Sequence, residues 1–219
     1  MAFSHGTPNS IVTDGLIFCV DPANVLSWAG PDSSTVNDLI GTNNGTAVND
    51  VSGSYGDNNS FDFDGVDDRI TLGSQISLTD LSIGMWVNPG NAASPNTTLL
   101  LGLRTSNAYK IQFNSATQIA FKAGGNTAVT GTPAIANDEW QYLFITRTSD
   151  TIQWYLNGST WGSASSVSTA AFIFDCIGYF NNGSKEWLGK IGPIQVYDKA
   201  ILASEVTQNY NALKNRFRT

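Results

Sequence analysis

The stretch Ser60–Leu72, S-F-D-F-D-G-V-D-D-R-I-T-L, decides the fold class of this chain. Two phenylalanines alternate with two aspartates over Phe61–Asp64, and successive strand side chains point to opposite faces, so this segment predicts a half-buried strand. Gly65 accepts a positive φ, and the aspartates after it favour a turn. The alternation restarts at Ile70 and Leu72, so we interpret the unit as a hairpin whose apolar face needs a second sheet to cover it.

About a dozen short strands are predicted along the chain. The passage 22–59 is rich in Asn, Gly, Ser and Asp, and is either a functional loop or a set of short edge strands. Asn157-Gly158 gives the strongest short hairpin signal. The other predicted strands are Leu16–Asp21, Leu81–Val87, Leu99–Leu103, Tyr109–Phe113, Gln118–Lys122, Trp140–Arg147, Thr151–Leu156, Phe172–Tyr179 and Gly189–Tyr197.

One helix is predicted at the C-terminus, over about residues 203–217. Val206, Tyr210, Leu213 and Phe217 recur at intervals of four, three and four, which gives one apolar stripe. Many short strands with one helix predict an all-β fold, an antiparallel two-sheet sandwich closed by a C-terminal helix.

Composition sets the domain count and the class of partner. The 219 residues are 41% hydrophobic and 13% charged, which suits one domain over 14–219, preceded by an extended arm over 1–13. The net charge of -7 argues against binding nucleic acid or an anionic membrane surface. No apolar stretch is long enough to span a membrane, so we expect no membrane insertion. Cys19 and Cys176 lie in apolar runs and are expected to be buried free thiols, unless their strands are neighbours and form a disulfide.

The sequence contains few combinations of residues that could catalyse a reaction, and we expect that the protein is not an enzyme. Asp62 and Asp64 share one strand face, but a glycoside hydrolase needs a second carboxyl group with a raised pKa, and no glutamate is near them. The glutamates Glu139, Glu186 and Glu205 fall at turns or at the helix start, and the single histidine, His5, lies on the arm. Nucleophile–histidine pairs and a zinc site are excluded on this inventory.

Calcium is an open alternative at one turn. Asp64, Asp67 and Asp68 place hard oxygen ligands around Gly65, as a calcium site requires. A complete site takes six to eight oxygens, so we favour the interpretation that these carboxylates stabilise the turn through Asx hydrogen bonds.

Sugar binding needs exposed aromatic rings with polar neighbours. Five aromatic residues lie in or beside predicted loops, where they either are displayed to a ligand or partner or cover the edge of the core: Trp28, Tyr55, Trp161, Tyr179 and Phe180.

Seven segments, in order and in register, resemble the laminin-G-like domains of the concanavalin A-like lectin/glucanase superfamily. They are Gly15–Phe18 with Asp21, Asn43–Thr46, Phe61–Asp68, Ile83–Pro89, Asp138–Gln141, Trp154–Gly158, and Gly189–Tyr197 running on to Tyr210. The resemblance implies two antiparallel sheets packed as a jelly roll. The chain departs from it at Val36–Gly41, where the family often carries Trp and Ser-Gly, and at Leu202, where a serine would cap the helix.

The ending L-x-A-S-E-V-x-Q-N-Y-N-A-L-K resembles copies in tailed-phage structural proteins. This resemblance implies a non-catalytic virion structural or decoration protein that docks on capsid or tail proteins and contacts host glycans. The N-terminus shows no secretory signal, so we expect synthesis in a host cytoplasm and a place on the virion surface. The alternative is a carbohydrate-binding lectin or adhesin, with or without calcium, and a glycoside hydrolase is the remote alternative.

Overall fold

The structure is a computed structural model that describes residues 10–49, 51–53, 59–90, 98–115, 118–125, 127–130, 136–179 and 186–217. These residues contain fifteen strands and one α-helix. The strands are β1 (Leu16–Val20), β2 (Thr35–Val36), β3 (Gly45–Val48), β4 (Phe61–Asp64), β5 (Arg69–Leu78), β6 (Leu81–Pro89), β7 (Thr98–Gly102), β8 (Tyr109–Ser115), β9 (Gln118–Ala123), β10 (Thr127–Thr130), β11 (Gln141–Thr148), β12 (Thr151–Leu156), β13 (Ser159–Ser166), β14 (Phe172–Ile177) and β15 (Leu188–Tyr197). Helix α1 (Ala203–Leu213) continues as a 3₁₀ turn, Lys214–Arg216.

The strands form two sheets, as the sequence predicts. Sheet A has the order β1-β15-β6-β11-β12-β13, and β4 also pairs with β15. Sheet B has the order β10-β9-β8-β7-β14-β5-β3-β2. Every pairing between these strands is antiparallel, which confirms the all-β antiparallel sandwich with one C-terminal helix.

The main core lies between the two sheets. Sheet A contributes Phe61, Ile145 and Trp154, and sheet B contributes Phe121 and Phe174, all almost fully buried. Burial of a large apolar side chain contributes about 1.5–3 kcal/mol to stability. The alternation of apolar residues along each strand therefore fixes which face turns inward, and it leaves an outer face on each sheet.

The predicted hairpin at Ser60–Leu72 is wrong. β4 pairs with β15 in sheet A, whereas β5 pairs with β14 and β3 in sheet B. The turn between them is a corner that carries the chain from one sheet to the other. Phe61 and Ile70 both point inward, one from each sheet. Apolar alternation shows which side of a strand is buried, but it does not show which sheet the strand joins.

The polar passage 22–59 forms short edge strands in its described part, the second of the two alternatives. β2 and β3 extend the edge of sheet B, and Val36 and Ala47 turn inward. The departure at Val36–Gly41 is built around the buried carboxylate of Asp38, which accepts hydrogen bonds from the backbone N–H of Cys19 and Ile40, each at 3.1 Å.

Helix α1 covers the outer face of sheet A. Trp86 of β6 stacks on Phe217 with ring centroids 4.3 Å apart and on Tyr210 at 5.7 Å. The apolar stripe predicted from the sequence therefore packs on an aromatic layer outside the main core. The 3₁₀ turn after the helix is held in place, because Arg216 forms an ion pair of 2.7 Å with Asp21.

The described end of the predicted arm, residues 10–13, lies against the same domain. The backbone N–H of Val12 donates to Oδ1 of Asn209 at 2.7 Å, and the Tyr197 hydroxyl donates to the carbonyl of Val12 at 3.0 Å. Residues 1–9 of the arm lie outside the described residues. No helix in the described ranges is long and apolar enough to cross a membrane.

Both cysteines are buried and free, as predicted. They lie in different sheets, Cys19 on β1 and Cys176 on β14. Burial raises the pKa of each thiol to about 12, with a smaller contribution from neighbouring carboxylates.

Candidate functional site

A row of polar side chains crosses the outer face of sheet B. Strand register places one residue of each strand beside the next, and we call this set the polar row. From edge to edge it consists of Thr35, Thr46, Thr71, Cys176, Gly102, Lys110, Lys122 and Thr127. Their chain neighbours, such as Ile70, Ile111 and Phe121, point into the core, so the polar row faces outward. The edges of this face are exposed at Thr35, Thr46 and Thr127, whereas its centre is buried at Cys176 and Lys110.

Two arginines flank the centre of the polar row. Arg69 lies two residues before Thr71, and Arg104 lies two residues after Gly102. Since β5 and β7 both run antiparallel to β14, the two arginines lie on opposite sides of Cys176 along the strand direction. The Arg104 backbone N–H donates to Oδ1 of Asp175 at 2.8 Å, which fixes the start of the loop after β7. The positive charges of Arg104 and Arg69 both oppose the rise in the pKa of the Cys176 thiol, as expected for guanidinium groups close to it.

Two lysines continue the positive charge along the row. Lys110 is paired in register with Lys122, so like charges lie directly opposite each other on neighbouring strands. Lys110 is only 7% exposed, and its ammonium group donates to Oδ1 of Asn107 at 2.9 Å. Facing like charges destabilise a sheet, so this arrangement costs stability in the free protein. A chain of net charge -7 thus gathers four cations on one face.

Four buried polar atoms on this face have no hydrogen-bond partner among the residues that the structure describes. They are Nε of Arg69, Oγ1 of Thr71, Nε of Arg104 and Oε1 of Gln112. Gln112 follows Lys110 by two residues on β8 and so shares its outward face. Most buried polar groups in folded proteins are paired, so this group of donors and acceptors is unusual.

Tyr179 lies beside this face, just after β14. The Arg69 guanidinium lies 5.0 Å from the centre of the Tyr179 ring, and the ring is half-buried. Tyr179 is thus one predicted aromatic candidate that the structure places at an accessible edge. Tyr55 and Phe180 were also predicted candidates, and both lie outside the described residues.

Trp28 and Trp161 are not displayed to a ligand or partner. Both cover the core, which was the second alternative for them. Trp28 is 4% exposed, packs on Phe61 with ring centroids 5.1 Å apart and donates from Nε1 to the carbonyl of Ser33. Trp161 is 2% exposed and pairs in register with Trp154. Their large apolar rings gain more from the core than from solvent, so neither can stack on a sugar.

The three predicted calcium ligands lie together at the corner between β4 and β5. One oxygen each of Asp64, Asp67 and Asp68 lies within 4.8 Å of the others. The Asp64 carboxylate accepts from the N–H of Val66 at 2.8 Å, and the Asp68 carboxylate accepts from the N–H of Asp64 at 2.9 Å. The bond to Asp64 is an Asx turn, and the bond to Asp68 closes the corner from its other end, so both carboxylates stabilise the turn.

The carboxylates considered for catalysis are spread over the molecule. Asp64 is exposed, and Asp62 is half-buried and accepts from the Ser60 hydroxyl. The Glu205 carboxylate accepts from the N–H of Leu202 at 2.7 Å and so belongs to the helix start. Glu139 is exposed in the turn before β11. Glu186 is half-buried and lies two residues before Leu188, the register partner of Asp64, and its Oε1 has no hydrogen-bond partner among the described residues.

A cavity of about 280 Å³ lies on the other side of the molecule, beside helix α1. Apolar side chains, including Ile11, Leu39 and Leu213, supply much of its lining, and Cys19 borders it. It lacks the cluster of unpartnered polar atoms that marks the outer face of sheet B, so the latter is the better candidate for a polar ligand.

A family profile described as the concanavalin A-like lectin/glucanases superfamily matches residues 64–207, which is well over half of the chain. The chain belongs to this superfamily. The match includes all the basic residues of the candidate site, from Arg69 to Lys122, and it confirms the resemblance seen in the sequence. No curated protein matches the chain.

Solved structures share the superfamily fold at low identity. A sialidase from Trypanosoma rangeli is 13% identical with a TM-score of 0.68, covering 96% of this chain and 35% of the sialidase. The binding domain of Paraclostridial Mosquitocidal Protein 1 is 18% identical with a TM-score of 0.67, covering 92% of this chain and 53% of that one. The receptor-binding domain of botulinum neurotoxin type G is 15% identical with a TM-score of 0.63, covering 91% and 51%. This chain therefore spans about a third to a half of those structures.

Sequence reasoning missed the polar row. Arg69, Lys110 and Lys122 each follow or precede an inward-facing apolar residue, which is the pattern of any solvated strand position. Only the pairing of β14 with β5 and β7 brings them onto one surface. A signal that could have drawn attention to them is the rarity of basic residues in a chain with eleven Lys and Arg in total.

Proposed function

We propose that this domain is a non-catalytic carbohydrate-binding module and that its ligand lies across the polar row. The observation that carries the proposal is the set of polar side chains that strand register places along the outer face of sheet B, with Thr46 exposed and Arg69, Thr71 and Lys122 partly exposed. Sugars present many hydroxyl groups, each of which donates and accepts hydrogen bonds, so they match a mixed set of donors and acceptors. Tyr179 supplies an aromatic ring at the edge, where a pyranose can stack.

The fold and its neighbours support a binding role. Two of the similar structures are described as binding domains of toxins. A sialidase shares the fold as well. Glycoside hydrolysis uses an acid and a nucleophile side by side, and Glu205 is taken up by the start of helix α1. The proposal therefore follows the lectin alternative and treats the hydrolase as remote.

A glycan array tests the proposal. The purified chain should bind a subset of glycans saturably. The variant Thr46→Trp places a large ring on an exposed position of the polar row beside Thr71 and should abolish binding. Thr160→Trp is the matched control, since Thr160 is an exposed threonine on β13 of sheet A, and it should bind as the wild type. A blank array, or equal loss in both variants, would contradict the proposal.

Placement on a virion and docking on capsid or tail proteins stay predictions from the sequence resemblance. Deleting residues 1–9 tests them, because these residues precede the segment that Asn209 and Tyr197 hold against the domain. Loss of particle attachment with intact glycan binding would support a docking arm. Unchanged attachment would show that the arm has no such role.

A further inference from the structure

We infer that the cavity beside helix α1 binds a small amphipathic molecule that has an apolar body and a terminal hydroxyl group. The cavity lies on the outer face of sheet A, so this site does not depend on the glycan proposed for sheet B. Its volume is about 280 Å³. An apolar cavity of about 150 Å³ holds a benzene ring, so this one accommodates a ligand of about ten non-hydrogen atoms.

Sheet A supplies the floor of the cavity. Cys19 of β1 and Gln195 of β15 are register partners, and Asp21, which also lines the cavity, follows Cys19 by two residues. The alternate residues Phe18 and Val20 point into the main core, so the floor belongs to the opposite, outer face. A thiol, an amide and a carboxylate are therefore gathered on one short stretch of two neighbouring strands.

The walls of the cavity are apolar and come from three other segments. Ala212 and Leu213 lie at the end of helix α1, Leu39 lies in the loop that follows β2, and Ile11 belongs to the N-terminal segment. All four side chains are half-buried, so part of their apolar surface is accessible to solvent. A ligand with an apolar body removes this surface from water, and the hydrophobic effect favours its binding.

Hydrogen bonds hold the N-terminal wall in place. Gln208 donates from Nε2 to the carbonyl of Ser10 at 2.8 Å, and Asn209 accepts at Oδ1 from the N–H of Val12 at 2.7 Å. The Tyr197 hydroxyl donates to the carbonyl of Val12 at 3.0 Å. A wall that is fixed in this way loses little conformational entropy when a ligand binds, and this favours affinity for a small molecule.

Two polar groups at the floor indicate the hydroxyl group on the ligand. Gln195 is 1% exposed, and its described hydrogen bond uses Oε1, which accepts from the Tyr142 hydroxyl at 2.7 Å. The Nε2 amide of Gln195 can therefore donate to a ligand. The described bonds of the Asp21 carboxylate use Oδ1, which accepts from Arg216 at 2.7 Å and from the N–H of Ala23 at 2.9 Å. Its Oδ2 can therefore accept from a ligand.

A hydroxyl group satisfies both polar groups, because it accepts from an amide and donates to a carboxylate at the same time. An ammonium group only donates, so it offers nothing to the Gln195 amide. A carboxylate on the ligand would place a second negative charge next to Asp21, and the two would repel each other. The floor therefore selects an alcohol over an amine or an acid.

Heteronuclear NMR titration of the isotope-labelled full chain tests the site with three probes of similar size. 2-Phenylethanol carries the hydroxyl group, ethylbenzene lacks it, and phenylacetate replaces it with a carboxylate. We expect saturable amide shifts at Cys19, Leu39 and Leu213 with 2-phenylethanol. Ethylbenzene and phenylacetate should bind more weakly by about fivefold or more.

Ala212→Trp fills the cavity and should abolish the binding of 2-phenylethanol. Ala203→Trp is the matched control, since Ala203 is an exposed alanine at the first position of the same helix, and it should bind within about twofold of the wild type. Ala212→Leu is the smaller change if the Trp variant unfolds, and it should weaken binding by about fivefold or more. Asp21→Asn removes the negative charge and should narrow the difference between 2-phenylethanol and phenylacetate.

Three results would overturn the inference. The first is the absence of saturable shifts at the cavity with every probe, or unchanged binding in both Ala212 variants. The second is equal affinity for ethylbenzene and 2-phenylethanol, which would contradict the choice of a hydroxyl group. The third is self-association of the free chain, measured by sedimentation, that Ala212→Trp abolishes. It would show that a second copy occupies the cavity, for which Val25 and Leu26, each 72% exposed, are the apolar side chains nearest in sequence to Asp21.

Discussion

Lys110 on β8 lies directly opposite Lys122 on β9, and both side chains occupy the outer face of sheet B. One of the pair, Lys110, is buried. The Lys110 ammonium group donates to Oδ1 of Asn107 at 2.9 Å. Like charges that face each other across a sheet cost stability, and this leads to the first prediction.

Lys122→Gln should leave the free energy of unfolding unchanged or raise it by up to about 1 kcal/mol, because it removes a facing like charge. The same variant should weaken the glycan binding proposed for the polar row. Urea unfolding and calorimetry measure the two effects. A clear loss of stability with unaltered binding would show that Lys122 supports the sheet and does not face a ligand.

Tyr179→Ala should weaken glycan binding by about 2- to 10-fold, the equivalent of about 0.5–1.5 kcal/mol for a stacked aromatic contact. Tyr179→Phe keeps the ring over Arg69 and should bind like the wild type. If the Phe variant were as weak as the Ala variant, the hydroxyl and not the ring would be the contact.

Leu202→Ser should stabilise the protein by about 1 kcal/mol. Leu202 occupies the N-cap of α1, is exposed and has no acceptor atom for the first helical N–H groups. A serine supplies that acceptor. Leu202→Ala is the control and should bring no gain in thermal unfolding. Equal stability of the Ser and Ala variants would place the helix start elsewhere.

The two thiols should be unreactive in the native protein. Burial raises the pKa of Cys19 and of Cys176 to about 12, so both stay protonated at pH 8. Ellman's reagent should label neither in buffer and both in denaturant. Rapid labelling of one thiol in buffer would show that its strand opens or is exposed.

The same shifts make the fold sensitive to alkali. The unfolded chain releases the thiol protons near the ordinary pKa of 9.0 while the folded chain holds them, so the unfolded state gains relative stability between about pH 9 and 12. Burial also raises the pKa of Tyr142 and Tyr197 above the ordinary 10.0, which acts in the same direction. The melting temperature should therefore fall steadily above pH 9. A flat profile up to pH 11 would contradict this account.

Calcium at about 1 mM should leave the melting temperature unchanged, because the carboxylates of Asp64 and Asp68 already accept backbone hydrogen bonds within their turn. Scans with calcium and with a chelator provide the measurement. A calcium-dependent rise that Asp67→Asn removes would establish a metal site at the corner.

Much of the fold follows from local sequence pattern. Gln141–Thr148 is apolar on both faces and lies in the middle of sheet A, and Asn157-Gly158 turns β12 into β13 with positive φ at both residues. The apolar stripe on Val206 and Phe217 finds its partner in Trp86. These features depend on residues that are close together in the chain, so the local sequence pattern predicts them.

The features that the sequence could not predict depend on pairing between strands that are not consecutive in the chain. Phe61–Asp64 joins sheet A because it pairs with β15, and Arg69–Leu78 joins sheet B because it pairs with β14 and β3; none of these partners is the next strand along the chain. The polar row depends on the same kind of pairing. Trp28 follows a polar segment, yet it packs on Phe61, which lies well further along the chain, whereas Trp161 is paired with Trp154 of the neighbouring hairpin strand.

Amide chemical-shift mapping tests the central claim most directly. An isotope-labelled sample of the chain is titrated with an oligosaccharide that the glycan array identifies. We predict saturable shifts concentrated on Thr71, Gly102, Lys110 and Cys176, the centre of the polar row. Shifts centred on Cys19, Ala212 and Leu213, beside the cavity under the helix, would contradict the account, as would the absence of any saturable shift.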